Sequence, residues 1–254
     1  MKKNLVMTVI LAAAIGFTAC QKDDMGTTGP SSMGVKIEAV NKSYSLPVSG
    51  NHKSAEATNA SVTWDTVRMV VSQIKFEAQL KSLVTHRDSI EINYKWTGPQ
   101  VVNLFDDKIE LGNFMLQPGF YDEIELKVYG NRNDAGKNPV FFMYGTFTSK
   151  QNSKIPVAIK VYNDVQFKTE KDSVTVTGES IDFTSYIQIY LDELMAGIDP
   201  VKLDNARLSD GVIVISPDSN RDLYYTIFGN LVKNHHCYFW HKGKDKNKNK
   251  GDDD

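Results

Sequence analysis

The densest run of soft ligand atoms in the 254-residue chain is His235-His236-Cys237-Tyr238-Phe239-Trp240-His241. On an extended strand His235, Cys237 and His241 share one face, and i, i+2 spacing lets two such side chains reach one metal ion. No second pair follows at zinc-finger spacing and no carboxylate motif lies beside it. The segment therefore reads as an aromatic closing strand, and no metal is expected. Asp218-x-Asn220-x-Asp222 opens like a calcium loop, but Leu223 stands where that loop needs glycine and Gly229 where it needs glutamate. Ser72-Gln73-Ile74-Lys75 has Ser-x-x-Lys spacing, which brings amine to hydroxyl only on a helix, whereas this stretch reads as strand. No G-x-S-x-G, H-E-x-x-H, P-loop or dinucleotide fingerprint occurs. No catalytic residue and no cofactor is assigned, and the chain reads as non-enzymatic.

Two further sets concern sugars. Trp64, Trp96 and Trp240 are large enough to stack on a sugar ring, although aromatics in a β-protein more often fill its core. Trp96 is the preferred ligand-binding candidate, because Tyr94-Lys95-Trp96-Thr97-Gly98-Pro99 puts it at a strand end before a turn. Asp65-Thr66-Val67, Asp88-Ser89-Ile90 and Asp172-Ser173-Val174 fit Asp-Ser/Thr-aliphatic. That triplet resembles the O-glycosylation acceptor of Bacteroidota exported proteins, and it marks Thr66, Ser89 and Ser173 as modification candidates.

The elements that must carry these residues are mostly strands. Ile124, Leu126 and Val128 alternate with Glu123, Glu125 and Lys127, giving one buried and one wet face, as in an antiparallel sheet. Val67, Met69 and Val71 alternate likewise, and so do Ile74, Phe76 and Ala78. The phase changes between Val71 and Ile74, which predicts a bulge or a bend. Strand-like runs at 140–148, 155–162 and 173–177 are separated by polar loops, the pattern of a β-sandwich. A short helix is expected over 192–198, stopping before Pro200. Leu223, Ile227 and Leu231 recur every four residues behind a capping box, Ser219-Asn220-Arg221-Asp222, which predicts a helix over 220–233. The expected fold is mainly β: an antiparallel sandwich, prealbumin- or immunoglobulin-like, with a C-terminal helix.

The N-terminus sets the compartment. Lys2 and Lys3 precede a short apolar run from Leu5 to Phe17, too short to span a bilayer and right for a secretory signal over 1–19. Phe17-Thr18-Ala19-Cys20 resembles the bacterial lipobox. The resemblance implies that Cys20 becomes the first mature residue, with a thioether-linked diacylglycerol and an amide-linked acyl chain such as palmitate. At about 0.8 kcal/mol per buried methylene, such a terminus anchors firmly. Lys22, Asp23 and Asp24 resemble the surface-export signal of Bacteroidota lipoproteins, and 20–34 reads as a flexible, lipidated tether. The domain is expected over 35–241, followed by a solvated charged tail over 242–254. With Cys20 acylated, Cys237 has no disulfide partner, so the core alone must hold the fold. A formal charge of −2 and a pI near 6.2 provide no field for nucleic acid.

Leu116-Gln117-Pro118-Gly119-Phe120-Tyr121, then Ile124-x-Leu126, resembles a segment of outer-membrane lipoproteins of Bacteroidota that carry a β-sandwich domain of unknown function. The resemblance covers roughly 35–195. It implies the sandwich and brings no catalytic residue. Together these readings predict an outer-membrane lipoprotein, facing the cell exterior, that acts as a non-enzymatic binding or interaction module. Its expected partners are the membrane and a glycan or an envelope protein, not nucleic acid. The alternative is an accessory subunit of a surface assembly, fimbrial or polysaccharide-uptake; a hydrolase is least favoured.

Overall fold

In a computed structural model, residues 31–46, 60–81, 90–106, 111–176, 183–233 and 235–241 are described. The chain runs β1 (Ser31–Val40), β2 (Ser43–Ser45), β3 (Ser61–Lys81), β4 (Ile90–Asn103), β5 (Gly112–Leu116), β6 (Gly119–Gly130) and α1 (Arg132–Ala135). It continues through β7 (Phe141–Thr148), β8 (Lys154–Val161), β9 (Val165–Val176), β10 (Phe183–Tyr190), α2 (Leu191–Leu194) and α3 (Pro200–Asp204). β11 (Leu208–Ser209), β12 (Val212–Ile215), α4 (Arg221–Lys233) and β13 (His235–His241) complete it. No helix among the described residues is long and apolar enough to cross a membrane.

Two sheets form. One orders its four strands β13-β10-β1-β5; the other has nine, along β11-β12-β8-β7-β3-β6-β9, with β2 and β4 also paired to β3. The expected mainly-β sandwich is present, but both sheets are mixed rather than antiparallel. β1 runs parallel to β10, and β12 parallel to β8. One core joins the sheets: Phe76 of β3 stacks on Phe114 of β5 with ring centroids 5.4 Å apart. Ile74, Leu126, Val128 and Phe167 lie fully buried beneath the nine-stranded sheet, and Met33, Val35 and Ile187 meet them from the four-stranded one.

β3 organises the larger sheet. Its first half pairs with β7 and its second half with β6, while β4 follows the opposite edge along most of its length. The register to β4 shifts between Val71 and Gln73, the bulge predicted from the change of phase. This extra residue lets Met69 and Val71 before it, and Ile74 and Phe76 after it, all enter the core. At the same point β6 ends and β7 begins. The buried Ser72 hydroxyl accepts the Asn131 amide there at 2.9 Å, so it closes the junction, while Lys75 stands over the Tyr129 ring, 5.7 Å from its centroid.

Leu116-Gln117-Pro118-Gly119 carries the chain from one sheet to the other, since β5 pairs with β1 and β6 with β3. The buried Tyr121 hydroxyl donates to the Gln117 carbonyl at 2.9 Å and fixes this corner. Burial pushes that hydroxyl up to about 12, against the smaller effect of the Gln117 bond.

Three boundaries differ from expectation. β1 begins at Ser31, so 31–34 belong to the sheet and not to a tether; Met33 is fully buried opposite Phe114. Gly, Ser and Pro around it hide that single apolar anchor. Pro200 does not follow a helix over 192–198. It starts α3 instead, where its missing N–H costs nothing, and the Asp199 carboxylate accepts the Val201 amide at 2.9 Å. The expected helix over 220–233 appears as Arg221–Lys233. Asn220 organises this end: its side chain accepts the Arg207 amide and donates to the Arg207 and Val214 carbonyls, each at 2.9 Å. Those bonds tie α4 to β12 and account for the residue without a calcium ion.

Candidate functional site

The face of the nine-stranded sheet turned away from the core divides at the β3 bulge. Beyond it, on β4-β3-β6-β9, residues fall into cross-strand rows. Lys95, Lys75, Lys127 and Lys168 form one row, and Asn93, Glu77, Glu125 and Glu170 form the next. Glu125, only 9% exposed, is ion-paired to both Lys127 and Lys168. Lys127 also reaches Glu77 at 3.2 Å, and Lys168 reaches Glu170 at 2.6 Å. Burial pushes the Glu125 carboxyl up, but the lysine hydrogen bonds reverse this and hold it at about 2. Their reciprocal effect raises Lys127 and Lys168. Carboxylate oxygens of Glu123, Glu125 and Glu170 lie within 4.8 Å of one another, a spacing that a cation could bridge. Lys127 and Lys168 already pair with Glu125 and Glu170, so the group reads as part of a structural face.

On the other side of the bulge the same face is built differently. Asn103, Arg68, Phe142 and Lys160 form a row across β4, β3, β7 and β8. Arg68, Phe142 and Lys160 border an open cleft of about 500 Å³ that Val101, Lys137 and Tyr162 complete. Local structure explains each placement. Arg68 and Lys160 stand opposite Phe142 on its two flanking strands, so the aromatic ring is bracketed by cations. Lys137 follows α1, whose last turn ends at Gly136 with φ 62°, a left-handed conformation that glycine adopts without strain. Val101, on β4, is 66% exposed.

Among the described residues, no acidic side chain pairs with Arg68, Lys137 or Lys160. The described residues lining this cleft include no carboxylate, histidine or cysteine. A second cleft, of about 580 Å³, continues from it. Lys137 and Tyr162 border both, and Asn163, Asp218, Tyr224 and Tyr225 line the far side at α4. The Tyr224 hydroxyl donates to Asn163 at 2.6 Å, while Tyr225 is 56% exposed and its hydroxyl takes a hydrogen bond from Arg221 at 3.2 Å.

The residues singled out from the sequence lie elsewhere. Trp96 is half-buried against the core opposite Ile74 and borders neither cleft. Trp64 is fully buried; its indole donates to the Tyr44 hydroxyl at 3.0 Å, which in turn donates to the Leu191 carbonyl at 2.8 Å. Thr66 is half-buried two residues before Arg68 on β3 and pairs with Tyr144. Ser173 is exposed on β9 with φ 57°. Strand β13 places His235, Cys237 and His241 opposite Ile189, Ile187 and Phe183 of β10. Cys20, Lys22, Asp23, Asp24 and Ser89 lie outside the described residues.

Sequence reasoning missed Arg68, Phe142 and Lys160. The available signal was weak: in three runs of period-2 strand, these positions belong to the wet face yet have no acid at the adjoining alternate positions. No family model matches the chain, and no curated protein or solved structure is significantly similar to it. What the fold and site define is a mainly-β protein of two mixed sheets, with one ion-paired lysine–glutamate cluster and one cationic, aromatic-lined cleft on the outer face.

Proposed function

We propose that the chain is a lipid-anchored outer-membrane lipoprotein, facing the cell exterior, that acts as a non-enzymatic binding module. The observation that carries the binding role is the Arg68–Lys137–Lys160 set around Phe142 and Tyr162, three cations with no acidic partner among the described residues, beside half-buried aromatics. Unpaired cations beside apolar surface contribute nothing to folding that a neutral residue would not, and they suit an external anion. The anchor rests on Phe17-Thr18-Ala19-Cys20, and the outward orientation on Lys22-Asp23-Asp24. The lipoprotein-like Leu116–Tyr121 corner supports the same reading.

The test is fractionation and protease shaving of cells producing the wild type or Cys20→Ala. The wild type is expected in the outer-membrane fraction after a high-salt wash, with peptides from 35–241 released from intact cells. Cys20→Ala is expected in the soluble fraction. A variant that stays with washed membranes overturns the anchor, and complete protection of the wild type on intact cells overturns the outward orientation.

A further inference from the structure

We propose that the two adjoining clefts bind an acidic polysaccharide strand, with a uronate- or sulfate-bearing sugar over the first cleft and a neutral sugar over the second. This rests on the reading of the protein as a binding module and names its ligand class.

Three features select this ligand. The first is the order cation, aromatic, cation across three strands. Neighbouring strands lie about 4.8 Å apart, so Arg68 and Lys160 bracket Phe142 over roughly 10 Å. That span is comparable to a disaccharide, whose ring can sit on the aromatic while its acidic substituent reaches a cation. Arg68 offers a planar fork to a carboxylate or sulfate, and Lys160 a point charge on an apolar stem.

The second feature is continuity. Lys137 and Tyr162 border both clefts, so a ligand can run from the β4 edge to α4 without leaving the groove. A small anion needs only one of them. A strand uses both, and the far cleft is made for hydroxyl groups: the Asn163 amide and the exposed Tyr225.

The third feature is charge density. Arg132 and Asp218 both line the second cleft, so it adds no net charge beyond the shared Lys137, and the chain as a whole is slightly acidic. Duplex nucleic acid carries a charge about every 1.7 Å, far denser than three cations spread around one cleft can answer. An acidic polysaccharide with a charge at disaccharide intervals matches the pattern. In the opposite half of the sheet Glu77, Glu125 and Glu170 occupy Lys127 and Lys168, and Glu77 also lines the cleft that Lys75 and Lys95 border, where it opposes an anionic ligand.

The test is isothermal titration calorimetry of the detergent-solubilised mature protein with oligogalacturonate, chondroitin sulfate oligosaccharide and a dextran oligosaccharide. Binding is expected for at least one acidic probe and not for dextran, and which acidic probe binds distinguishes uronate from sulfate. Raising sodium chloride should weaken it, as screening of solvent-exposed charge requires. Arg68→Gln and Lys160→Gln should each weaken binding about tenfold, the loss of one charge-assisted contact. Lys95→Gln, in the lysine row of the other half, should leave it unchanged. Unaltered melting temperatures separate these losses from misfolding. Failure of both acidic probes to bind, or equal binding by the two cleft variants, overturns the proposal. Dextran binding as tightly as the acidic probes, and lost in Tyr162→Ala, overturns the acidic class while leaving the binding module intact. Single-stranded DNA binding more tightly than either acidic glycan overturns the ligand class as well.

Discussion

The two halves of the outer sheet face share one strand and treat charge in opposite ways. Beyond the β3 bulge, four lysines and three glutamates lie in adjacent rows, and two of the lysines, Lys127 and Lys168, are ion-paired to Glu77, Glu125 and Glu170. Before it, Arg68, Lys137 and Lys160 have no acid among the described residues. The alignment of the rows is itself informative. Lys75 stands opposite Lys127, and Lys127 opposite Lys168, although like charges directly across a ladder are unfavourable. A two-residue slip would place lysine opposite glutamate. The register is therefore dictated from beneath by Phe76, Leu126, Val128 and Phe167, and the charges pair diagonally within it. Paired charge in one half is a consequence of packing, whereas unpaired charge in the other has no packing explanation.

Whether both halves belong to one folding unit is tested most strongly at their junction. A Cβ on Gly130, where β6 ends, would lie 2.7 Å from Val140 Cγ1 and 2.8 Å from the Val70 carbonyl oxygen. The oxygen is backbone and cannot swing aside. Gly130→Ala should cost about 2–3 kcal/mol in urea unfolding, the scale of overpacking in a core. One shifted transition is expected. A biphasic melt in which β4-β3-β6-β9 survives would make the halves separate units and end the comparison.

Glu125→Gln should have the next largest effect, about 1–2 kcal/mol, because it leaves Lys127 and Lys168 without their shared, nearly buried partner. The lysines' partial exposure keeps the figure well below that of a fully buried pair. Its pH dependence follows from the direction of the shift. The folded carboxyl titrates at about 2 rather than at the ordinary 4.5, so its contribution is complete above the ordinary value and disappears as pH falls toward 2. The gap between wild type and Glu125→Gln should hold from pH 5 to 7, narrow progressively below about pH 4.5 and close near pH 2. A gap that persists at pH 2 would mean that packing, not charge, separates them.

Much of the fold was legible in the chain. The change of phase between Val71 and Ile74 located the bulge, because core and wet positions must alternate and only an extra residue can reset them. Leu223, Ile227 and Leu231 located α4, since a buried stripe at that period admits no other structure. The parallel pairing of β1 with β10 was not legible: it joins segments about 150 residues apart and leaves no local mark. Trp96 looked accessible as an aromatic at a strand end, yet its burial depends on Ile74 opposite it and on the core below. The cleft was hidden for a related reason. Arg68, Phe142 and Lys160 become neighbours only through the β3-β7-β8 register, and the absence of an acid beside them is a property of the assembled sheet.

That absence gives the smallest and most discriminating expectation. Arg68→Gln and Lys160→Gln should each change unfolding free energy by no more than about 0.5 kcal/mol, because each removes a cation that no acidic side chain among the described residues holds. Lys160 keeps its packing, since glutamine preserves most of the stem that lies half-buried on the sheet. Urea titrations of both variants beside Glu125→Gln place the two halves on one scale. A loss above about 1 kcal/mol in either cleft variant would reveal a structural partner for the cation, and the contrast would dissolve. Near-zero change would mean that folding does not require the charge. Coupled to a tenfold loss of acidic-glycan affinity, it would identify a cation whose partner lies outside the chain.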